Sequence, residues 1–589
     1  MAVSKKTKAD LKAVKPALTE KGQWVNYKLL IFILSSLFCL MLYKNISYPL
    51  IWNDESDTIM TAKQILKYGY PKVNDGKNKI FLTEDKTGIA YKAAWDANIA
   101  MPWGHYYFAA IGVFFSEHVD DIYLKGGIIR MTFATMGLIG LILFILAIKD
   151  LFLDRKTYFK IVLAFVFFEL LSVPLFLHLR EARYYSLVLF IVACFFYVFI
   201  NNFYLRKYSI KKYLLLMTLV LFVSYQINVI VFASCCLTLC ICEGINYVAD
   251  IFSIIKKEGL RVASIWRPIP QKFVSCSPVL ISGILISPFV ISFETFSTAA
   301  RAMEFYHYNT GYYFAHLERI FYVFTTQEFL YLVMLVKFLE SVIWIKTRFG
   351  QRTELKKNGY GSLEMVSFFM TVFFICYCLM ISKMPIPIIW ARYVIVLQPI
   401  MILILLLDAV SIFRYISAQG RKSSVKLYKI SFSVLLVIVF AMNVQPKINY
   451  LKEYGYQLTH QLKGPLDYLI PFIKEKYKNP ENLILATNYE ELSYVFYLDC
   501  KVILGYVNIN LENDMKLQPD IIIFRKTWGH DPAPYNQLIQ RAKYSRVSFP
   551  VFDSNVNNIA ELDFGIQHQF RTKLPKSEQE KSDILLKVQ

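Results

Sequence analysis

Long apolar runs separated by short basic loops constrain the fold of this chain more than any other feature. A helix that crosses a lipid bilayer needs about twenty consecutive apolar residues. Of the 589 residues 56% are hydrophobic, above the roughly 45–50% of soluble domains. The runs predict a polytopic α-helical membrane protein of about eleven spans. We place them near 29–49, 126–148, 158–178, 184–203, 213–230, 232–249, 274–293, 324–345, 362–381, 392–412 and 428–446.

The basic residues alternate between loops and predict how the helices are oriented. Every second loop is rich in Lys and Arg, beginning with Lys149 and ending with Lys429, and such loops are typical of the cytoplasmic side. The net charge of +21 therefore indicates membrane topology, and no nucleic acid partner is expected. We expect a multi-pass protein of the bacterial inner membrane, with a cytoplasmic amino terminus and an extracytoplasmic carboxyl terminus.

Three regions follow from this pattern. A basic cytoplasmic segment spans 1–28, a transmembrane domain spans 29–446, and a small extracytoplasmic α/β domain spans 447–589. In the last region, runs of strand length near 483–486, 501–504 and 521–524 alternate with helical stretches such as 465–478. The charged residues after about 572 are predicted to be frayed.

The first outer loop, 50–125, is long enough to carry structure of its own. Asp57 to Tyr68 is predicted to form a helix that Gly69 ends. The apolar run that begins at Met101 is too short to span comfortably, and the aromatic residues at its start favour an interface-lying or re-entrant helix.

Two acids, Asp54 and Glu55, directly follow the first span. Carboxylates at a membrane face are costly and often functional. Their alternative role is to stabilise the start of the following helix.

Outer loops should be poor in cations, so the exceptions are informative. They are Arg180, Arg183, Arg301, Arg319, Lys383 and Arg392. A guanidinium matches phosphate geometry through paired hydrogen bonds, although an arginine at a helix end can also simply reach the lipid headgroups. Acids and cations on one side of the membrane suggest a site for an anionic lipid beside a carboxylate that activates an acceptor.

The sequence does not demand a metal ion. Ten cysteines occur, all but Cys500 in or beside apolar runs, and their spacing fits no metal motif. Asp54, Glu55 and Asp57 could gather a divalent cation, but no ligand spacing supports one. We therefore assign no metal ligands, and the metal dependence stays open.

The pattern resembles the membrane glycosyltransferases with the GT-C fold, in the branch of protein O-mannosyltransferases and bacterial aminoarabinose transferases. The likeness covers the layout of most of residues 29–446. The matching segments are Asp54-Glu55, 64–71, 102–107 with Arg130, Arg183 to Ser186, and Arg392-Tyr393 with Pro399.

The resemblance implies an enzyme that moves a sugar from a polyprenyl-phosphate carrier to an extracytoplasmic lipid, glycan or protein. Asp54 would be the base of an inverting displacement, and Glu55 would orient the acceptor or Asp54. The donor phosphate would be held by Arg183, Arg392, Lys383, Lys92 and Arg180. The sugar or acceptor would be lined by Tyr184, Tyr393, His105 and Tyr106. No other cofactor is implied.

Two departures leave the donor sugar and the acceptor open. The aminoarabinose transferases carry Arg-Tyr where this chain has Asp57-Thr58, and residues 91–96 replace their Lys-Pro-Pro-like stretch. The alternative function is a transporter or flippase of a lipid-linked anion, which predicts charges near the centres of the spans and internal repeats. Glu169 is the nearest case of such a charge, and we find no repeat.

Overall fold

In a computed structural model, the described part of the chain consists of helices, a five-stranded sheet and a short two-stranded hairpin. The structure describes residues 18–80, 90–152, 154–259, 266–349, 362–386, 388–418, 422–461, 463–505, 510–526, 531–553 and 575–588. Residues 1–17 of the predicted cytoplasmic segment therefore lie outside the described part.

Within the described residues, nine helices are long and apolar enough to cross a membrane. They are α1 (Leu18–Tyr43), α4 (Ile122–Ile148), α7 (Tyr185–Phe203), α8 (Ile210–Ile227), α9 (Val229–Glu258), α10 (Ile269–Ser292), α14 (Ser362–Ile381), α16 (Leu397–Ala418) and α17 (Lys422–Thr459). The prediction of a polytopic helical membrane protein is confirmed. The division of residues 213–249 into two spans is also confirmed, since α8 ends at Ile227 and Asn228 caps α9.

Two other predicted spans look different in the structure. The span near 158–178 is bent by 80° between α5 (Arg155–Leu170) and α6 (Val173–Leu179), because Ser172 caps a new helix whose first turn holds Pro174. The span near 324–345 corresponds to α13 (Leu330–Phe349), in which every stretch of 18 residues holds at least three charged residues, whereas each of the nine helices above has such a stretch with at most two.

Further helices of the described residues lie between the spans. They are α2 (Asn53–Tyr68), α3 (Gly104–Ser116), α11 (Thr295–Phe305), α12 (Thr310–Gln327) and α15 (Ala391–Val394). Gly69 ends α2 with a φ of 83°, as the sequence predicts. Tyr107, Ile111 and Phe114 of α3 are exposed, which suits a helix lying at the membrane interface. A short hairpin, β1 (Tyr91–Lys92) and β2 (Ala97–Asn98), precedes α3.

Charged residues buried between spans are more numerous than the sequence suggested. Lys337 of α13 lies 3.3 Å from Asp408 of α16 and 3.2 Å from Glu340, all within the helix bundle. The expectation of few charges inside the spans was wrong here. These three residues fall inside two predicted spans, and pairing between the helices lowers the cost of burying them.

The carboxyl-terminal region is an α/β unit that begins at Pro465, beyond the end of α17. Its helices are α18 (Pro465–Lys476), α19 (Glu491–Leu498), α20 (Leu511–Asp514) and α21 (Ala533–Gln540). Its strands are β3 (Ile484–Thr487), β4 (Lys501–Leu504), β5 (Ile521–Ile523), β6 (Tyr544–Phe552) and β7 (Lys581–Lys587), in the order β4-β3-β5-β7-β6. The predicted boundary at 447 falls inside α17, which continues through Pro446.

The prediction that residues after about 572 are frayed was wrong. β7 pairs with both β5 and β6, and Ser582, Ile584 and Leu586 are buried on one face. The charged residues of this strand lie on the other face, so its composition hid a strand with alternating burial.

The α/β unit packs directly on the first outer loop. Ile51 donates its N–H to the Tyr497 hydroxyl at 3.0 Å, and Ser493 donates to the Ile51 carbonyl at 3.0 Å. Val502 donates its N–H to Asn78 at 2.8 Å. These bonds fix the segment from which α2 and its two acids start.

Candidate active site

Asp54 and Glu55 lie in the first turn of α2, where negative charge is favoured by the helix dipole. The side chain of Asp54 is 25% exposed, whereas that of Glu55 is 1% exposed. Only Asp54 is therefore accessible to a substrate, and the two acids have different surroundings.

Glu55 is bound on both of its oxygens by groups of the protein. Arg130 donates to Oε1 at 2.8 Å and to Oε2 at 2.5 Å, and the N–H of Ala182 donates to Oε1 at 2.9 Å. These contacts join α2 to α4 and to the connection between α6 and α7. Glu55 can hold Asp54 in place, but its carboxylate does not face an acceptor.

Arg183 holds the start of α2 from the opposite side. It donates to the Asp54 carbonyl at 2.8 Å, to the Thr58 hydroxyl at 3.0 Å and to the Asp57 carboxylate at 3.2 Å. Burial raises the pKa of Asp57, while the charge of Arg183 acts in the opposite direction. Arg183 thus positions the backbone of Asp54.

Arg392 approaches the carboxylate of Asp54 itself. Its guanidinium nitrogen lies 3.5 Å from Asp54 Oδ2. It is flanked by three aromatic rings, with the centroid of Trp52 at 5.4 Å, Tyr393 at 5.3 Å and Trp390 at 5.9 Å. An arginine held among aromatic rings keeps its charge in a largely buried position, and its planar fork fits a phosphate.

Glu181 belongs to the same cluster, although the sequence analysis missed it. Its Oε2 lies 3.1 Å from Nδ1 of His178, and it is 3% exposed. Burial and the charges of Glu55 and Asp54 raise the pKa of Glu181 to about 8, against the opposing charge of Arg392. Its position between Arg180 and Arg183 was the only signal in the sequence.

The aromatic residues predicted to line the site are brought together. The ring of His105 lies 3.8 Å from that of Tyr106 and 5.9 Å from that of Tyr184. Tyr393 is 6.2 Å from Tyr185, which in turn is 4.6 Å from Tyr184. Burial lowers the pKa of His105 to about 3, so this ring is neutral at ordinary pH.

Three of the residues predicted to bind the phosphate contact other parts of the protein than Asp54. Arg180 donates to the Tyr454 hydroxyl at 3.1 Å and to the Asn45 carbonyl at 2.8 Å, which fixes it against α17 and the end of α1. Lys92 pairs with Glu294 at 3.3 Å. Lys383 is exposed in the turn after α14 and is not among the contacts of Asp54, Arg183 or Arg392 in the described residues.

The α/β unit also reaches this cluster. Burial, the charge of Glu490 and that of Asp54 raise the pKa of Tyr489, which follows β3. Arg525 holds the same connection, since it pairs with Glu490 and lies 2.5 Å from Asp553. Sequence reasoning could not link Tyr489 to Asp54, because more than 400 residues separate them.

Among the described residues, no group of three or more His, Cys, Asp or Glu side chains could hold a metal ion.

No protein-family model matches the chain, and no curated protein does so. Among solved structures, ArnT from Cupriavidus metallidurans in the apo state is similar over 96% of this chain and 98% of that chain, with 12% identity and a TM-score of 0.49. ArnT from the same organism bound to undecaprenyl phosphate is similar over 97% and 98%, with 11% identity and a TM-score of 0.48. ArnT is an aminoarabinose transferase with the GT-C fold, the family that the sequence motifs resemble. Since the likeness is this distant, the roles proposed below rest on the residues of this chain.

Proposed function

We propose that the protein is a membrane glycosyltransferase that moves a sugar from a polyprenyl-phosphate carrier to an extracytoplasmic lipid, glycan or protein. One observation carries the proposal: the accessible carboxylate of Asp54 lies 3.5 Å from the guanidinium of Arg392 at the start of an outer helix. A base and a phosphate-binding cation are the two groups that such a transfer needs.

The reaction follows from these two groups. The acceptor hydroxyl attacks the anomeric carbon of the sugar while Asp54 accepts its proton. The bond between that carbon and the phosphate oxygen breaks, and the electron pair leaves with the polyprenyl phosphate. Arg392 stabilises the negative charge that grows on the phosphate, and Arg183 holds the helix start that carries Asp54. Attack opposite the leaving group inverts the anomeric centre.

The carrier's hydrocarbon tail needs an apolar groove between spans. Such a cavity of about 300 Å³ lies between α1, α4 and α5, lined by residues such as Phe38, Leu141 and Phe165. Undecaprenyl phosphate, the ligand of one similar structure, is the natural first carrier to use as a probe.

The test uses the full-length protein in lipid nanodiscs with a panel of undecaprenyl-phosphate sugars and a bacterial envelope extract as acceptor. We expect consumption of one carrier sugar with release of undecaprenyl phosphate. Asp54→Asn should lower the turnover number by about 10²–10⁴-fold, because the proton acceptor is lost, while carrier binding is retained.

Glu117→Gln is the matched control, since it neutralises an exposed carboxylate after α3. Its turnover should equal that of the wild type. Wild-type turnover in Asp54→Asn would remove Asp54 as the base and contradict the proposal.

A transporter or flippase of a lipid-linked anion is the second candidate, favoured by the buried Lys337–Asp408 pair. Flux of labelled undecaprenyl phosphate across proteoliposomes separates the two functions. Flux that Asp408→Asn abolishes, together with no sugar transfer, would favour the transporter.

A further inference from the structure

A large cavity with charged and apolar side chains in its walls opens at the opposite end of the helices from Asp54. It has a volume of about 900 Å³ and lies between the end of α7, the starts of α8 and α10, and the second half of α9. The basic loops predict that this end faces the cytosol. The glycosyl transfer proposed above does not use it.

One wall of the cavity contains a cluster of charged side chains that pair with one another. Glu243 of α9 is 2% exposed, and Lys272 of α10 lies 3.4 Å from its Oε2. The same lysine lies 3.1 Å from Asp250, and Asn246 donates to Glu243 Oε1 at 3.4 Å. A single lysine balances only one of the two acids, so negative charge remains at Asp250, whose side chain is 51% exposed.

The other wall provides positive charge. Arg206 follows α7 and is exposed to the cavity with a φ of 49°. Few residues other than glycine adopt this left-handed conformation, so the surrounding turn holds Arg206 there. Lys207 contributes to that turn by donating its N–H to the Asn201 carbonyl at 2.9 Å. The turn therefore holds the backbone of Arg206 beside the cavity, and its planar guanidinium is suited to a phosphate.

An apolar surface begins at the rim of the cavity. Ile210 and Leu215 of α8 are 63% and 69% exposed, and Phe273 and Leu280 of α10 are 60% and 54% exposed. These side chains continue from the cavity into the level of the bilayer. A ligand with a polar head and hydrocarbon chains would contact both the charged cavity and the apolar surface beside it. A wholly soluble ligand would contact only the cavity.

We propose that this cavity binds the headgroup of an aminophospholipid of the phosphoethanolamine class. Its phosphate would contact Arg206, its primary ammonium would donate to Asp250, and its acyl chains would lie along α8 and α10. The acids and bases that line the cavity are two acids, Glu243 and Asp250, and two cations, Arg206 and Lys272, so a zwitterionic headgroup matches their balance.

The test measures lipids bound to the delipidated full-length protein by native mass spectrometry. Phosphatidylethanolamine, phosphatidylcholine or phosphatidylglycerol is added in turn. We expect one phosphatidylethanolamine to be retained in preference to the other two lipids, because phosphatidylcholine has no N–H to donate to Asp250 and phosphatidylglycerol has no cation to pair with it. Arg206→Ala and Asp250→Asn should each weaken its binding by about tenfold or more, since each loses a charge-assisted hydrogen bond.

Lys211→Ala is the control, because it removes an exposed lysine near the start of α8 that does not line the cavity. It should bind the lipid as the wild type does. Unchanged binding in both cavity variants, or equal retention of phosphatidylglycerol, would overturn the proposal. Displacement of the lipid by an equal concentration of soluble glycerophosphoethanolamine would overturn the lipid as its source. Because Arg206 and Asp250 are exposed, both variants should elute and unfold as the wild type does.

Discussion

Asp54 and Glu55 are adjacent in the chain, but only Glu55 is bound on both oxygens inside the protein. Glu55→Gln should therefore leave the guanidinium of Arg130 buried without its counter-charge. We expect the free energy of unfolding to fall by about 3–5 kcal/mol, measured by denaturation in detergent. Asp54→Asn is the matched control and should change stability by no more than about 1 kcal/mol, because its ion pair is partly exposed. If both variants lost the same free energy of unfolding, the structural role of Glu55 would not differ from that of Asp54, and the prediction would be contradicted.

Arg392 and Lys383 lie nine residues apart in one outer segment, and both were predicted to hold the phosphate. Only Arg392 contacts Asp54. Arg392→Lys should raise the KM for the carrier sugar by about tenfold, because lysine lacks the planar fork and the stacking on aromatic rings. Lys383→Ala should leave the KM unchanged. A larger effect at Lys383 would place the phosphate away from Asp54.

The sequence could predict the residues whose charge is unusual for their position. Asp54, Arg183 and Arg392 stand out because charge is rare at the outer ends of apolar runs. Arg180 is also a charged residue at the outer end of an apolar run, but its side chain donates to Tyr454 instead of facing Asp54. No pattern in the sequence shows in which direction a loop arginine points. The tertiary fold brings Glu181 into the cluster and Tyr489 near it, and a single sequence does not encode this proximity in a readable form.

Among the helices, α4 and α7 pack closely because glycine lies at their contact. A Cβ added at Gly140 would lie 2.9 Å from the Phe190 Cα and 3.0 Å from its backbone nitrogen. Gly140→Ala should therefore force the helices apart and lower the stability by about 1–3 kcal/mol, measured by thermal unfolding in detergent.

Gly244→Ala in α9 is the matched control, because a Cβ there has no atom within 4 Å among the described residues. It should leave stability unchanged or raise it by up to about 1 kcal/mol, since alanine favours a helix. A loss as large as that of Gly140→Ala would show that the α4–α7 contact is not the cause.

The length of each apolar run predicted well that a helix is present. The places where a helix breaks depend on capping residues and prolines, which are hard to notice inside a long apolar run. Ser172 and Pro174 form a helix start inside the run near 158–178, and the cap bends the span by 80°. β7 was missed for the opposite reason, because its charged outer face outweighed the alternating Ile584 and Leu586.

At the scale of the whole molecule, the α/β unit and the membrane helices share the loop that leads to Asp54. Asp467 of α18 accepts the Leu50 N–H at 3.3 Å and the Gly464 N–H at 2.8 Å. Burial raises the pKa of Asp467 to about 6, although both hydrogen bonds favour its charged form. The junction between the two units therefore contains an acid that titrates above its ordinary range.

The sign of the resulting pH dependence follows from the raised pKa. Ionised Asp467 carries a burial cost in the folded protein, and this cost is relieved as the pH falls from about 6 towards about 4, the unfolded value. Because a shift of about two units corresponds to about 3 kcal/mol, the wild type should gain up to that much stability relative to Asp467→Asn over this range. Chemical denaturation of both proteins at pH 7, 6, 5 and 4 measures the difference in slope. Parallel curves would mean that Asp467 keeps its ordinary pKa at the junction, so that the packing of the α/β unit on the Asp54 loop is looser than the contacts indicate.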